Sequence, residues 1–209
     1  MNELVRTLCA IVNTPEIKDA LSGSSHGESL STAMQEGVPE YICEDAQITL
    51  IDVAQRIQAL GFSLVGNGNF AVVLAHPDYP DVVFKVCTDM DDKYHAFVQY
   101  CESACTPHIP VVHAKDVREF AAVYVLDKLI KHDMTTSTIS ATQIRARVCA
   151  LYCVPRKVKA SPMYPRKLMV AARRLAKWVH RNNFGWDLHE DNIMWHPKTG
   201  ALVITDPVC

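Results

Sequence analysis

The sequence predicts an α+β protein in which a helical start, a β-rich middle and a helical end follow one another. Residues 1–60 carry apolar side chains at helical spacing, and Gly61 stands where the second of two helices stops. Residues 61–127 contain short β-type runs separated by Gly, Asn, Pro and Asp, as in an antiparallel sheet. Helical patterns dominate residues 128–209. We therefore expect a helical extension, a β-rich part and a helical part within these three ranges.

The spacing of apolar residues also gives approximate positions for the elements. We expect helices near residues 1–12, 48–60, 91–103 and 165–182, and strands near residues 62–65, 70–74, 82–86, 111–112, 121–126 and 202–205. The last of these helices is predicted to be amphipathic. Its apolar side holds Leu168, Ala172, Leu175 and Val179, and its other side holds Arg173, Arg174, Lys177 and Arg181.

Composition excludes several classes of protein. With 209 residues, 49% of them hydrophobic and 21% charged, the chain has ordinary globular composition rather than that of a disordered or collagen-like protein. No apolar run is long enough to span a membrane, and the early acid Glu3 argues against a signal peptide. We therefore expect a cytoplasmic protein whose eight cysteines are free thiols. Zinc held by the pairs Cys101/Cys105 and Cys149/Cys153 is the alternative, although structural zinc sites usually show tighter spacing.

Charge is distributed unevenly along the chain, although the formal net charge is only −2. Between Met134 and Trp186 there are 11 Lys and Arg residues and no Asp or Glu. The rest of the chain holds 10 basic and 23 acidic residues, a net charge of −13. This asymmetry favours one electropositive face, and we expect an acidic partner for the basic segment 145–181. A solvated helix face is the alternative, and we do not expect direct binding of nucleic acid.

Two motifs in the β-rich part are typical of phosphate binding. The segment GNGNFAVV, residues 66–73, lies between predicted strands, and its glycines let backbone N–H groups come close to phosphates. A hairpin turn would explain the glycines equally well. Lys85 lies within a strand between apolar residues, where its ammonium group is costly unless it meets an anion. A lysine on an exposed strand face is the alternative.

Two further motifs lie near the end of the chain. Asp187 and Asn192 stand five residues apart in WDLHEDNIMW, a predicted loop between a helix and a strand. The aspartate can accept or orient a hydroxyl proton, and the asparagine oxygen can hold a hard cation. Asp206 follows a short apolar strand, and a hairpin can bring it beside Asn192 to complete a metal site.

The four motifs appear in the order glycine segment, strand lysine, D-x-x-x-x-N and strand-Asp, which is the order of the protein-kinase signatures. The stretches GFSLVGNGNFAVVLAHPDYPDVVFKV, YVLDKL, DLHEDNIMW and ITDPV resemble the early serine/threonine protein kinases of T7-like podoviruses. The resemblance covers roughly residues 60–208. It implies a compact bilobal kinase-like fold, with an antiparallel β N-lobe, a truncated helical C-lobe and the N-terminal helical extension.

The resemblance also implies an activity, with ATP and Mg²⁺ as cofactors. The family phosphorylates Ser/Thr of host proteins during phage takeover, and the implied partners are RNA polymerase or RNA-processing enzymes in the host cytoplasm. Asp187 would be the catalytic base, Lys85 would hold the α/β phosphates, His189 would contact the γ-phosphate, and Asn192 and Asp206 would hold magnesium. The nucleotide would also be bound by Gly66, Asn67, Gly68, Phe70, Val73 and the adenine hinge Leu126–Asp127.

Departures from the kinase pattern leave two further functions open. Ala71 replaces the third glycine, Gly185 replaces the usual histidine of the catalytic loop, and Pro207 follows Asp206 where phenylalanine is usual. Glu102 is the candidate for the glutamate that pairs with the strand lysine. Elements that grip a peptide are not recognisable in the sequence, which argues against a conventional protein kinase. One alternative is a small-molecule phosphotransferase, which the D-L-H-x-x-N pattern of residues 187–192 supports. The other alternative is a pseudokinase-like module that binds and inhibits a host factor without catalysis.

Overall fold

The computed structural model describes residues 1–14, 30, 33–35, 44–68, 71–88, 92–131, 166–188 and 190–208. In these ranges the helices are α1 (Asn2–Val12), α2 (Glu44–Ala59), α3 (Asp92–Ser103) and α4 (Arg166–Arg181), with a 3-10 turn at Glu190–Asn192. The strands are β1 (Ser63–Gly68), β2 (Ala71–Ala75), β3 (Val82–Thr88), β4 (Val112–Val117), β5 (Ala121–Asp127), β6 (Ile130–Lys131), β7 (Ile193–Trp195) and β8 (Leu202–Ile204).

The chain divides into two units that each interrupt the other along the sequence. The first unit holds Met1–Asp92 and Val112–Lys128, and the second holds Lys93–Val111 and Leu129–Cys209. A five-stranded antiparallel sheet with strand order β1-β2-β3-β5-β4 belongs to the first unit. A three-stranded antiparallel sheet with order β6-β7-β8 belongs to the second. This mixture of helices with antiparallel sheets confirms the predicted α+β class.

Helices α1 and α2 cover one face of the five-stranded sheet. The fully buried Leu8 of α1 and Ile57 of α2 join Phe84 and Val123 of the sheet in a single apolar core. Burying apolar side chains of this size stabilises the folded state by about 1.5–3 kcal/mol each. The helices predicted for residues 1–60 are therefore part of the core of the sheet. The predicted domain boundaries at residues 60 and 127 stay predictions.

Asn13 fastens the end of α1 to the start of β5. Its Oδ1 accepts hydrogen bonds of 2.9 Å from the N–H groups of Phe120 and Ala121, and its Nδ2 donates to the Ala121 oxygen at 3.0 Å. These bonds satisfy backbone groups that would be costly to bury without partners. Asn13 thereby adds a polar connection to the apolar packing of α1 against the sheet.

Gly61 ends α2 as the sequence predicts. Its φ of +89° is a left-handed conformation that glycine adopts without strain. Its N–H donates to the Gln58 oxygen at 2.9 Å, and the N–H of Phe62 donates to the Ile57 oxygen at 3.4 Å. The chain then turns into β1, one residue later than predicted. The glycine segment differs more, because Gly66, Asn67 and Gly68 form the end of β1 instead of a loop.

The second unit is built around α4, whose buried side carries Leu168, Leu175 and Val179. Trp178 on the same helix contacts Tyr100 of α3, with ring centroids 5.1 Å apart. The predicted limits of α4 agree with the structure to within one residue. The amphipathic pattern of this helix is thus satisfied by packing within the second unit.

Candidate functional site

A loop between α4 and β7 holds two of the predicted site residues in a fixed relation. Asn192 donates a hydrogen bond from Nδ2 to the main-chain oxygen of Asp187 at 2.7 Å. The N–H of Asp187 donates to the Pro207 oxygen at 2.9 Å, and the N–H of Thr205 donates to the Asn192 oxygen at 2.9 Å. Both ends of the loop are therefore tied to the segment that follows β8.

The β7–β8 hairpin places Asp206 in the same region of the second unit. Ile193 pairs with Ile204, so the residues just before β7 lie beside the residues just after β8. An isolated bridge between Trp186 and Val208 extends this pairing past Asp206. Asp187, Asn192 and Asp206 are all half-buried. The hairpin thus gathers one amide and two carboxylates around one short loop.

His108 anchors β8, and sequence analysis did not single it out. It is buried, its Nδ1 lies 2.8 Å from the Leu202 oxygen, and its main-chain oxygen accepts a hydrogen bond of 3.0 Å from the Ile204 N–H. The partners are 94 residues apart for the side-chain contact, so no local pattern reveals them. Buried polar groups need hydrogen-bond partners, so the two contacts of His108 with the backbone of β8 fix the position of that strand.

Asp206 also acts electrostatically on its surroundings. Burial raises the pKa of the Cys101 thiol well above its usual value, and the nearby charges of Glu102 and Asp206 raise it further. Like charges disfavour the thiolate in this way only when they are close. Cys101 is therefore held as a neutral thiol in the second unit, which agrees with the predicted free thiols.

The chemistry of this donor set fits magnesium. Mg²⁺ is commonly held by one or two protein oxygens together with substrate phosphates and water. Asn192 uses its amide nitrogen in the bond to Asp187, so its Oδ1 is the oxygen suited to a cation. Asp206, two residues after the end of β8 in the same hairpin, has the carboxylate that would complete such a site. In the described part of the chain no cluster of three or more His, Cys, Asp or Glu side chains has the arrangement of a metal site.

Lys85 lies on the face of the five-stranded sheet opposite the α1–α2 core. Its neighbours along β3, Phe84 and Val86, both belong to that core, and strand side chains alternate between faces. Across the strands Lys85 pairs with Val73 on one side and Tyr124 on the other. Lys85 is half-buried, so its stem packs among apolar neighbours. The lysine therefore lies on the other sheet face from the α1–α2 core, in the same row as the fully buried Tyr124.

Gly66 is in register with Val73 and therefore lies in the same row as Lys85. A Cβ added at Gly66 would meet the Val73 side chain at an ordinary 3.7 Å, and one added at Gly68 would meet nothing within 4 Å. Neither glycine has a positive φ. Glycine weakens a strand and often marks a bulge or a close approach of another molecule, and the register of β1 shifts between Leu64 and Gly66.

The predicted hinge residues end strand β5. Leu126 is buried and lies opposite Val83, and Asp127 lies opposite Val82. The Oδ1 of Asp127 is 2.8 Å from Nε2 of His113, which sits at the bulge of β4. Sequence analysis missed His113, although predicting the β4–β5 hairpin would have suggested the contact.

Comparison with known protein families matches residues 32–209 to the family described as bacteriophage T7 protein kinase 0.7. This match covers well over half of the 209 residues. The chain belongs to this phage kinase family. The family predicted from the sequence is thereby confirmed, and protein kinase is the enzyme class that the family name indicates. No curated protein matches the chain.

The predicted site residues of this T7-family kinase are distributed over both units. Lys85, the glycine strand, Val73 and the hinge belong to the first unit, and the Asp187–Asn192 loop with Asp206 belongs to the second. Asn67 is exposed on β1 opposite Val72. Phe70 and His189, which were predicted to contact the nucleotide, lie outside the described residues. Cys149 and Cys153, one of the two pairs in the zinc alternative, lie outside them too.

Two other predictions for the T7-family kinase concern α3 and the membrane. Glu102 is exposed in the last turn of α3, and its pairing with Lys85 stays a prediction. Among the helices that the structure describes, none combines the length and the apolar character of a membrane span.

Proposed function

We propose that this chain is an ATP-dependent serine/threonine protein kinase that modifies host proteins during phage takeover. The observation that carries the proposal is the hydrogen-bonded arrangement of Asp187, Asn192 and Thr205, found in a member of a phage kinase family. Phosphoryl transfer depends mostly on positioning and on charge stabilisation. A loop tied at both ends meets the first of these requirements.

In the second unit, Asp187 would accept the proton of a substrate hydroxyl at a carboxylate oxygen. That hydroxyl oxygen would form its bond to the γ-phosphorus of ATP as the bond from this phosphorus to the β–γ bridging oxygen breaks and ADP leaves. The main chain of Asp187 is held on both sides, through the N–H to Pro207 and through the oxygen to Asn192. Asn192 Oδ1 and the Asp206 carboxylate would hold Mg²⁺, which would neutralise negative charge on the phosphates of ATP, the phosphoryl donor. Positioning of the acceptor hydroxyl is worth several orders of magnitude in rate.

In the first unit, the sheet face of Lys85 would contact the nucleotide. Lys85 would hold phosphates, and the glycine strand would let phosphate oxygens approach the backbone of Gly66 and Gly68. Leu126 would line the adenine site, with Asp127 kept in place by His113. The two units would correspond to the N-lobe and C-lobe of a kinase-like fold, with α1 and α2 as additions to the N-lobe.

Two experiments test the proposal. Mg-ATP at a hundredfold excess over its Kd should stabilise the folded protein by about 2.7 kcal/mol, seen as a rise in Tm. Labelled ATP with bacterial lysate should give labelled phosphoserine or phosphothreonine, with RNA polymerase and RNA-processing enzymes as expected targets. Asp187→Asn should abolish labelling while keeping the Tm rise, because it removes the base and keeps the shape.

The outcomes separate this function from its alternatives. If the wild type labels no protein and the Asp187→Asn variant keeps the full effect of the wild type on the host, the results would favour a non-catalytic inhibitor. Label found only in small metabolites would favour a small-molecule phosphotransferase. No Tm rise with millimolar Mg-ATP would contradict the proposal at its first step.

A further inference from the structure

The exposed side of α4 is a cationic surface. The helix contains no Asp or Glu. The basic side chains lie opposite the buried apolar side of the helix, and we call this set the α4 cationic face. It comprises Arg166, Lys167, Arg173, Arg174, Lys177, His180 and Arg181. Arg173 is half-buried, and the others are exposed.

The spacing of these residues arranges them along one stripe. At about 100° per residue, positions 166, 173, 177 and 181 fall within a narrow arc, with 167, 174 and 180 at its borders. The 16 residues of α4 extend over about 24 Å. Residues three or four positions apart on a helix have Cβ atoms about 5–6 Å from each other. Like charges at this spacing destabilise a helix, so the stripe costs stability when nothing covers it.

The composition of this face favours a phosphate backbone over an acidic protein surface. Stable protein–protein interfaces have an apolar core, are depleted in Lys and are enriched in Arg and aromatic residues. Within the arc of cations the exposed apolar side chain is Val170, at 40%. Seven basic side chains around one apolar side chain of this size, with no acid on the helix, suit a regular array of phosphates.

The aromatic side chains near this face point to duplex rather than single strands. Single-stranded nucleic acid is usually bound by aromatic rings whose faces stack on bases. Tyr100 and Trp178, both half-buried, pack against each other with centroids 5.1 Å apart, and Trp178 also contacts Phe184 at 5.4 Å. Rings engaged with each other are poor stacking platforms for bases.

We propose, against the expectation from the sequence alone, that the α4 cationic face binds the phosphate backbone of double-stranded nucleic acid without preference for sequence. Binding of this kind would keep the protein close to complexes assembled on nucleic acid, and it makes nucleic-acid phosphates the acidic partner of residues 166–181 of the basic segment. It does not depend on the proposed kinase activity, because none of its residues belongs to the catalytic or nucleotide-binding set.

The test is a salt titration of binding to a fluorescent DNA duplex, followed by anisotropy. For each phosphate that a cation neutralises, the slope of log Kobs against log salt is about −0.9. The double variant Arg174→Glu with Lys177→Glu should therefore have a slope shallower by about 1.8. Its affinity at about 50 mM salt should fall at least tenfold, since phosphate contacts dominate non-specific affinity. Duplexes of unrelated sequence should behave alike.

The matched control is Lys93→Glu with Lys198→Glu, which changes the net charge equally on exposed positions of α3 and of the β7–β8 turn. It should retain the wild-type slope and affinity. Arg174→Gln with Lys177→Gln removes the same two cations without adding acids, and it carries the test if the glutamate variant fails to fold. Tm measurements verify the fold of each variant.

Three results would overturn the proposal. The first is no binding of duplex by the wild type at about 50 mM salt, where non-specific binding is strongest. The second is an equal loss in the α4 and control variants, which would mean that overall charge alone is responsible. The third is displacement of the duplex by polyglutamate at equal charge concentration, which would assign the face to an acidic protein.

Discussion

The amide nitrogen of Asn192 donates a hydrogen bond of 2.7 Å to the main-chain oxygen of Asp187. The two residues proposed to hold the cation and to accept the proton are thereby coupled through the backbone. A displacement of either one would move the other, so the proposed acid–base and metal functions share one geometric support.

Replacing Asn192 should therefore harm both stability and phosphoryl transfer. Asn192→Ala removes the donor and should lower the free energy of unfolding by about 1 kcal/mol, as for a typical lost hydrogen bond. Transfer should fall at least tenfold, because Asp187 loses its support and the cation loses a ligand. Urea unfolding and labelled-ATP assays measure the two effects. Asn182→Ala is the control, since Nδ2 of Asn182 donates a similar 2.8 Å bond to the Trp178 oxygen away from the loop.

Gly68→Ala should separate stability from nucleotide binding. The added Cβ meets nothing within 4 Å in the protein. Alanine in a strand makes the folded state more stable than glycine does, by about 0.5–1 kcal/mol. Tm should rise slightly while the KM for ATP rises severalfold, because the methyl group occupies space that phosphate oxygens would approach. An unchanged KM for ATP would show that this part of β1 does not contact the nucleotide.

His113→Ala should raise the KM for ATP without a comparable change in kcat. The substitution removes the 2.8 Å contact that holds the Asp127 carboxylate at the end of β5. We expect a severalfold effect, because a positioning contact at the adenine site acts on binding and not on the transferred proton. Lys115→Ala on the same strand is the control. If kcat fell in His113→Ala while KM stayed constant, the hinge assignment would be wrong.

Cys9 should make the protein less stable at alkaline pH. Burial, with a smaller effect of Asp116, raises the pKa of the Cys9 thiol from its usual 9.0 to about 11. Between these values the unfolded chain loses the proton and the folded protein keeps it. Rising pH therefore favours the unfolded state, by up to about 1.4 kcal/mol per unit of pKa difference, while stability is unaffected below pH 9.

The measurement is the urea midpoint at neutral pH and near pH 10. Cys9→Ala should be less stable at neutral pH, because it leaves a cavity in the α1 core, but it should lose less stability on the way to alkaline pH. An identical pH dependence of wild type and variant would exclude a contribution from Cys9.

Periodic elements were predictable from the sequence because their burial is one-sided. Helix α4 and strand β3 lie within one or two residues of the predicted limits, since their apolar spacing matches the face that packs. Strand β4 was recognised only at its first residues. Its exposed His113 and Lys115 are typical of a sheet edge and conceal the β pattern.

Contacts between distant parts of the chain were not predictable. The motif spacing singled out Asp187, Asn192 and Asp206 as site residues. The short stretch of chain between Asn192 and Asp206 was enough to predict the hairpin that brings them together. The link from His108 to β8 spans 94 residues, and neither partner has a local signature. Similarly, the amphipathic pattern of α1 shows that it packs somewhere but does not identify β5 as its partner.

The attachment of α1 to β5 through Asn13 has a consequence for synthesis on the ribosome. Asn13 and Ala121 are 108 residues apart, so α1 emerges long before the strand that completes its surroundings. At about 5–20 residues per second, the apolar side of α1 waits roughly 5–20 s for its partner. During that interval the apolar side of α1 has no strand to pack against. The first unit can be completed only after Lys93–Val111 of the second unit has been made.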